Sequence, residues 1–195
     1  MGRVFPFSPF LLYTQYKMGK ICLSKISKNF LKDCSLKLNG ITEMYLVALS
    51  DIESFTFQTD TGDSILATLT IVAGSKTVFV EGYKNAVKAT QSIRSSDYQN
   101  ALAQTITFPV YGAVNDAGVK AVLNGKYVAF TKGEDLTYRA YGLLGGLEAS
   151  AADSDTNTNA GAITISLSTP EGLAGEYPVT VASSVWTLLQ TNSLS

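Results

Sequence analysis

The chain has 195 residues, of which 46% are hydrophobic and only 16% charged, with 15 basic against 16 acidic side chains and a net charge of −1. That length supports one domain with a real core, or two small ones, and the charge balance excludes a general electrostatic pull toward nucleic acid or anionic membrane. Histidine is absent, which removes the commonest general base and metal ligand, and two cysteines cannot complete a four-ligand zinc site.

Residues 1–33 read as a basic N-terminal extension or arm. Arg3, Lys17, Lys20, Lys25, Lys28 and Lys32 face a single acid, Asp33. Pro6 and Pro9 interrupt the apolar start, and no small-x-small cleavage site follows, so a signal peptide is not expected. Met18-Gly19-Lys20 resembles a second start, which makes residues 1–17 either an upstream extension or a flexible arm. No apolar run reaches the roughly 18 residues needed to span a bilayer. Leu23, Ile26, Phe30 and Leu31 give a rough helical stripe. Cys22 and Cys34 are expected as free thiols, with a disulfide open to them in an oxidising compartment.

From residue 34 onward the pattern is one of short strands. Asn39-Gly40 signals a turn, and Met44–Leu49 is an apolar run that reads as a buried strand. Phe55-Thr56-Phe57-Gln58-Thr59 alternates, so both rings fall on one face. Asp60-Thr61-Gly62-Asp63 is a turn, Ile65–Val72 a strand, Ala73–Lys76 a hairpin turn, and Thr77–Tyr83 the strand after it. Val87–Ile93 is a polar strand or edge segment, and Arg94–Asn100 a loop. Leu102–Phe108 alternates again. Asn115–Leu123 is a short helix with Asn115 as cap, Asp116 in its first turn, Val119, Val122 and Leu123 on one face, and Asn124-Gly125 at its end.

A hairpin follows, with arms Tyr127–Thr131 and Leu136–Gly142 around Lys132–Asp135. A glycine-rich step, Leu143–Leu147, leads to Ser150–Gly161, which is small, acidic, unable to bury a face and expected to be mobile. Ala162–Ile165 is a strand, Pro170–Gly175 a loop and Pro178–Val181 a last short strand. Val185–Leu189 is either one helical turn or a strand that seats the tail by Trp186. The sum is a mainly β fold, a sandwich or barrel of about nine mostly antiparallel strands with one short α-helix, over residues 34–195 as a single domain.

The candidate chemical constellations are weak. Ser75-Lys76 and Ser24-Lys25 are adjacent pairs, without the spacing that puts nucleophile and base on one helix face. Ala73–Thr77 lacks the first glycine and the helix of a phosphate loop. Gly142–Leu147 does not match a dinucleotide fingerprint. Asp153, Asp155 and Asn157 have the alternate spacing of calcium-loop ligands, but Thr158 stands where glycine is needed and no bidentate glutamate follows. The tyrosine-bearing strands are not basic, which argues against an RNA-binding sheet. No enzyme, cofactor or metal is expected.

The order of five pieces resembles the tail-tube (major tail) proteins of bacteriophages, especially those of Bacteroidetes phages. These are Asn39-Gly40-Ile41 into the strand Met44–Leu49 and Ser50-Asp51-Ile52; Gln104–Phe108 after a polar loop; Leu123–Ala129 at the end of the helix; Tyr141-Gly142 through Gly146–Ala149; and an acidic loop before Gly161–Leu167. They span roughly Cys34 to Val181, and the basic extension before Cys34 is outside the pattern. The resemblance implies a virion structural protein, assembled in the host bacterial cytoplasm. Its β-sandwich joins into a ring, usually of six, and the rings stack through a long loop or terminal arm. Its partners are other copies of itself and other tail proteins, and DNA slides through an acidic lumen without specific binding. Like charge there prevents the counterion-releasing contacts that phosphates make with Lys and Arg.

After Gly133 the sequence has seven acids and one base, Arg139. Glu134, Asp135, Glu148, Asp153 and Asp155 are therefore expected at the lumen or the ring-to-ring surface; the alternative for each is an exposed loop acid. Two other functions remain open. One is another phage structural part, a head–tail connector or capsid-decorating protein. The other is a monomeric β-sandwich that binds a ligand such as a carbohydrate through clustered Tyr and Trp residues.

Overall fold

A computed structural model describes residues 40–60, 63–82, 86–95, 100–111, 116–154, 162–173 and 176–194. The basic extension, both cysteines, Asn115 and the run from Asp155 to Gly161 lie outside the described residues.

The fold is mainly β. Among the described residues, eleven strands form in the order β1 (Ile41–Ala48), β2 (Ile52–Asp60), β3 (Asp63–Ile71), β4 (Val78–Glu81), β5 (Lys88–Ser95), β6 (Asn100–Val110), β7 (Lys126–Gly133), β8 (Tyr138–Tyr141), β9 (Leu147–Ser154), β10 (Ile163–Ser168) and β11 (Val179–Val181). Two α-helices join them, α1 (Asp116–Asn124) after β6 and α2 (Ser183–Thr191) after β11.

The middle of the molecule is the antiparallel pair β1–β7, with Tyr45 opposite Phe130 and Leu46 opposite Ala129. Met44 to Val47 are all buried, as are Val128 to Thr131. A strand alternates its side chains between faces, so a continuous apolar run serves two cores at once. Tyr45, Val47, Val128 and Phe130 point to one cluster, with Leu66 of β3 and Val185, Trp186 and Leu189 of α2. Met44, Leu46 and Ala129 point to the other, where Ile106 and Phe108 of β6 meet Ile165 and Leu167 of β10. Each fully buried side chain of this size contributes about 2 kcal/mol.

The strands of the described residues form one continuous mixed sheet. Its segment β2-β3-β11-β8-β7-β1-β4 and its segment β9-β10-β6-β5 both contribute to the second cluster, and α2 packs on the first. The two segments are joined where β9 leaves β7 after two paired positions, Lys126↔Glu148 and Tyr127↔Leu147, and turns to β10. Gly142 and Gly146, both at positive φ, make the sharp step between β8 and β9. A Cβ on Gly142 would strike Leu147, so the glycine-rich stretch is a packing turn.

Four expectations need correction or completion. The link Ala73–Thr77 is not a hairpin: β3 pairs with β2 and β11, while β4 crosses to β1. Ser150–Ser154 is strand, because β10 supplies its hydrogen bonds even though its side chains stay exposed. One pairing, β11 with β3, is parallel. The stretch around Trp186 is a helix of nine residues, so the described residues hold two short α-helices. The hydroxyls of Thr187 and Thr191 donate to the carbonyls four residues back, and Asn192 Nδ2 donates to Leu188 O at 3.0 Å, which closes the helix end.

Candidate interaction surfaces

Two long strands end the path of the sheets. Among the described residues, β2 pairs only with β3, and β5 only with β6. Each has a row of backbone donors and acceptors along one side that no other strand of the described residues meets. β2 carries Glu53, Ser54, Thr56 and an exposed Phe57, with no lysine and no proline. β5 carries Lys88, Arg94 and Ile93, the last 74% exposed. Arg94 folds back, with its guanidinium donating to Pro170 O at 2.9 Å and Thr169 O at 3.2 Å. The two edges thus differ in charge, acidic on β2 and basic on β5.

The acids singled out in the sequence fall into two places. Glu134 and Asp135 lie in the β7–β8 turn. Asp135 Oδ1 accepts from the Thr137 hydroxyl at 2.6 Å and the Thr137 amide at 3.2 Å. Those two donors hold its carboxyl below the usual range. Leu136 beside it is 68% exposed at a φ of 60°, an uncommon backbone for a non-glycine residue. Glu148 is at the opposite end of β7, in an ion pair with Lys126 at 2.8 Å. Both partners are about half exposed, so the pair contributes at most about 1 kcal/mol. Asp153 lies farther out along β9, exposed and opposite Thr164. β7 runs roughly 25 Å between the two groups at about 3.3 Å per residue. Asp155 lies outside the described residues.

A third feature was not legible as a site. Gln104 is completely buried on a strand whose neighbouring inward residues are apolar. Its Oε1 accepts Gly142 N–H at 2.8 Å and its Nε2 donates to Glu176 O at 2.5 Å. Its backbone N–H donates to Thr169 Oγ1 at 3.0 Å. One side chain therefore ties the β8–β9 turn to the segment before β11. The Glu176 carboxylate completes the tie, since both its oxygens accept Leu144 N–H, at 3.0 and 3.2 Å. The two loops present Leu144 and Tyr177, which border a shallow cleft together with Phe57 of β2, and Tyr177 is 78% exposed.

Burial pushes the Glu176 carboxyl above the usual range, against the downward pull of the Leu144 and Gly145 amides. A carboxyl whose folded pKa exceeds its unfolded value stabilises below the unfolded pKa and loses that contribution as pH rises through the folded one. Ionised Glu176 is thus a net cost at neutral pH. Glu176→Gln is expected to be more stable than the native chain at pH 7, and the gap is expected to close by pH 4. Urea unfolding at both pH values measures this, and a gap that widens on acidification would refute the assignment.

The last surface is a groove of about 530 Å³ between β4, the end of β6 and α1. Val78, Val80, Phe108, Val119 and Val122 line it, and Phe79 and Tyr111 stand at its exposed rim. Glu81 is the one charged residue among its lining. On α1, Val119 and Val122 pack inward while Leu123 is 38% exposed. The Tyr127 hydroxyl donates to Ala121 O at 3.0 Å and fixes the helix end against β7.

Comparison with known protein families, with curated proteins and with solved structures returns no match. No helix among the described residues is long and apolar enough to cross a membrane.

Proposed function

We propose that the chain is a virion structural protein, the subunit of a phage tail tube that assembles through its sheet edges into rings and then into a conduit for DNA. The observation that supports this best is the pair of open edges. Monomeric β proteins usually blunt such edges with lysines, prolines or covers. Here β2 is long, carries no lysine or proline and is covered by no other strand of the described residues, and β5 exposes Ile93 at its margin. Head-to-tail pairing of the acidic β2 edge of one copy with the basic β5 edge of the next satisfies both, and a repeated head-to-tail contact closes a ring when its rotation permits.

In such a ring, lateral strand pairing leaves the strand ends facing the neighbouring rings. Glu134 and Asp135 at one end of β7, and Glu148 and Asp153 toward the other, then belong to the two stacking faces or to the lumen rim. Partners in this reading are further copies and other tail proteins, with DNA passing through and the virion as location. The ligand-binding alternative loses Trp186, which is 3% exposed and stacked in the core. Among the described residues it retains the rim of the β4–α1 groove and the cleft beside Tyr177 and Phe57.

The test is the solution mass of the full-length chain, followed by negative-stain electron microscopy. Rings or stacked tubes with a central hole are expected. Ile93→Lys is expected to leave monomer stability within about 0.5 kcal/mol, as for other exposed substitutions, and to abolish assembly. A native chain that stays monomeric at high concentration, even with assembled tails as initiator, would overturn the proposal. A twelve-membered or capsid-bound form would transfer it to a connector or decoration protein.

A further inference from the structure

The outer edge of β4 is a third sheet edge, separate from those of β2 and β5. Backbone groups along a strand alternate between its two sides. Val78 and Val80 pair with Leu46 and Met44 of β1, and Gly82 N–H donates to Thr42 O at 2.9 Å. Thr77 points the other way. Its N–H donates to Asn192 O at 3.0 Å, and its carbonyl accepts Leu194 N–H at 3.0 Å. This is a one-residue parallel bridge to the tail at Ser193. The same alternation turns the N–H and C=O of Phe79 and Glu81 to the outer side, where no backbone of the described residues meets them.

The groove begins at those free groups, and Leu194 already lines it. The chain's own tail therefore shows the mode of occupation, an extended backbone beside β4 with an apolar side chain in the groove. We propose that the β4 edge is a strand-addition site for an extended segment of a second polypeptide in which apolar residues alternate with basic ones, lying parallel to β4 in line with Asn192–Leu194.

The chemistry of the occupant follows from the two faces of the added strand. Side chains on the Val78 and Val80 face enter the space toward Val119 and Val122, where the lining residues of the described chain other than Glu81 at the β4 edge are uncharged, and which takes apolar residues. Side chains on the other face stand beside Phe79 and Glu81. Glu81 is exposed and has no ion pair among the described residues. A lysine or arginine there meets a carboxylate and an aromatic ring together, whereas an acid meets like charge. Main-chain bonds supply attachment and alternate pockets supply selection, as in other strand-addition sites.

The test uses the full-length, isotope-labelled chain and two synthetic hexapeptides, one alternating leucine with lysine and one alternating leucine with glutamate. Amide hydrogen exchange is read at Phe79 and Glu81, with Val78 and Val80 as internal controls already bonded to β1. The basic peptide is expected to slow exchange at Phe79 and Glu81 at least tenfold and the acidic one to leave it unchanged. Glu81→Lys, at an exposed position, is expected to reverse that preference while Val80 exchange stays constant. Equal slowing by both peptides, slowing confined to other strands, or no slowing at millimolar peptide would each overturn the proposal.

Discussion

Trp186→Ala is expected to destabilise the fold by about 3–5 kcal/mol, the range for removing a large aromatic from a packed core. The residue is 3% exposed. Its ring stacks on Tyr138 at 4.9 Å and meets Tyr45 edge-on at 5.0 Å. Tyr45 in turn lies 5.2 Å from Phe79. The indole thus joins α2 to β1, β8 and the start of β4, and alanine leaves a cavity that none of these can fill. For a domain of this size each kcal/mol shifts the melting temperature by about 2–4 °C, so a fall of roughly 6–20 °C follows. Trp186→Phe separates packing from polarity. The buried Nε1 has no hydrogen-bond partner among the described residues, so phenylalanine forfeits no hydrogen bond, leaves a smaller cavity than alanine and should cost less than the alanine variant. Urea unfolding of the full-length chain measures both, and an alanine cost below about 1 kcal/mol would mean that α2 does not seal this core.

The parts of the fold that were legible are those where one local signal settles the outcome. Met44–Leu49 is apolar at every position, which fits a strand buried on both faces; β1 is that strand as far as Ala48, and Leu49 opens a 3-10 turn. Phe55 and Phe57 alternate, and their rings lie 5.5 Å apart on one face. Val119 and Val122 have helical spacing and pack inward. What failed was what depends on partners distant in sequence. Ser150–Ser154 has no residue that demands a strand and becomes one because β10 offers a hydrogen-bonding edge. Ala73–Thr77 has the composition of any tight turn, and nothing in it tells a hairpin from a link to another strand. Trp186 sits in a run too short for its period to choose between helix and strand; the two faces of α2 become clear only against β3 and Tyr45. The surfaces divide similarly. The β5 edge was readable from its polar alternation, whereas the β4 groove is assembled from three separate segments, β4, β6 and α1, and no one of them carries its signature.

Gln104 had one available signal, a polar residue in register with Ile106 and Phe108 on the inward face of β6, and its energetic weight is correspondingly large. Gln104→Leu nearly conserves volume, so its cost isolates hydrogen bonding. It leaves the buried Gly142 N–H without its acceptor and Glu176 O without its donor. Stranding a buried polar group costs about 1–3 kcal/mol, and two such losses predict roughly 2–5 kcal/mol. Gln104→Glu should cost more at pH 7, because a carboxylate at a fully buried position has no cation beside it among the described residues and meets the Glu176 carbonyl instead of donating to it. Its deficit should shrink as pH falls. Burial raises the folded pKa of the introduced carboxyl above its unfolded value, so its contribution is most favourable below the unfolded pKa and worsens as pH rises through the folded one. Once protonated, the group can accept Gly142 N–H and donate to Glu176 O, restoring both bonds. Hydrogen exchange at Gly142 and Leu144 should quicken in both variants while exchange in β1 and β7 tracks global stability. Equal stability of the leucine variant and the native chain would mean that the β8–β9 turn is held by Gly142, Gly146 and Leu147 packing alone.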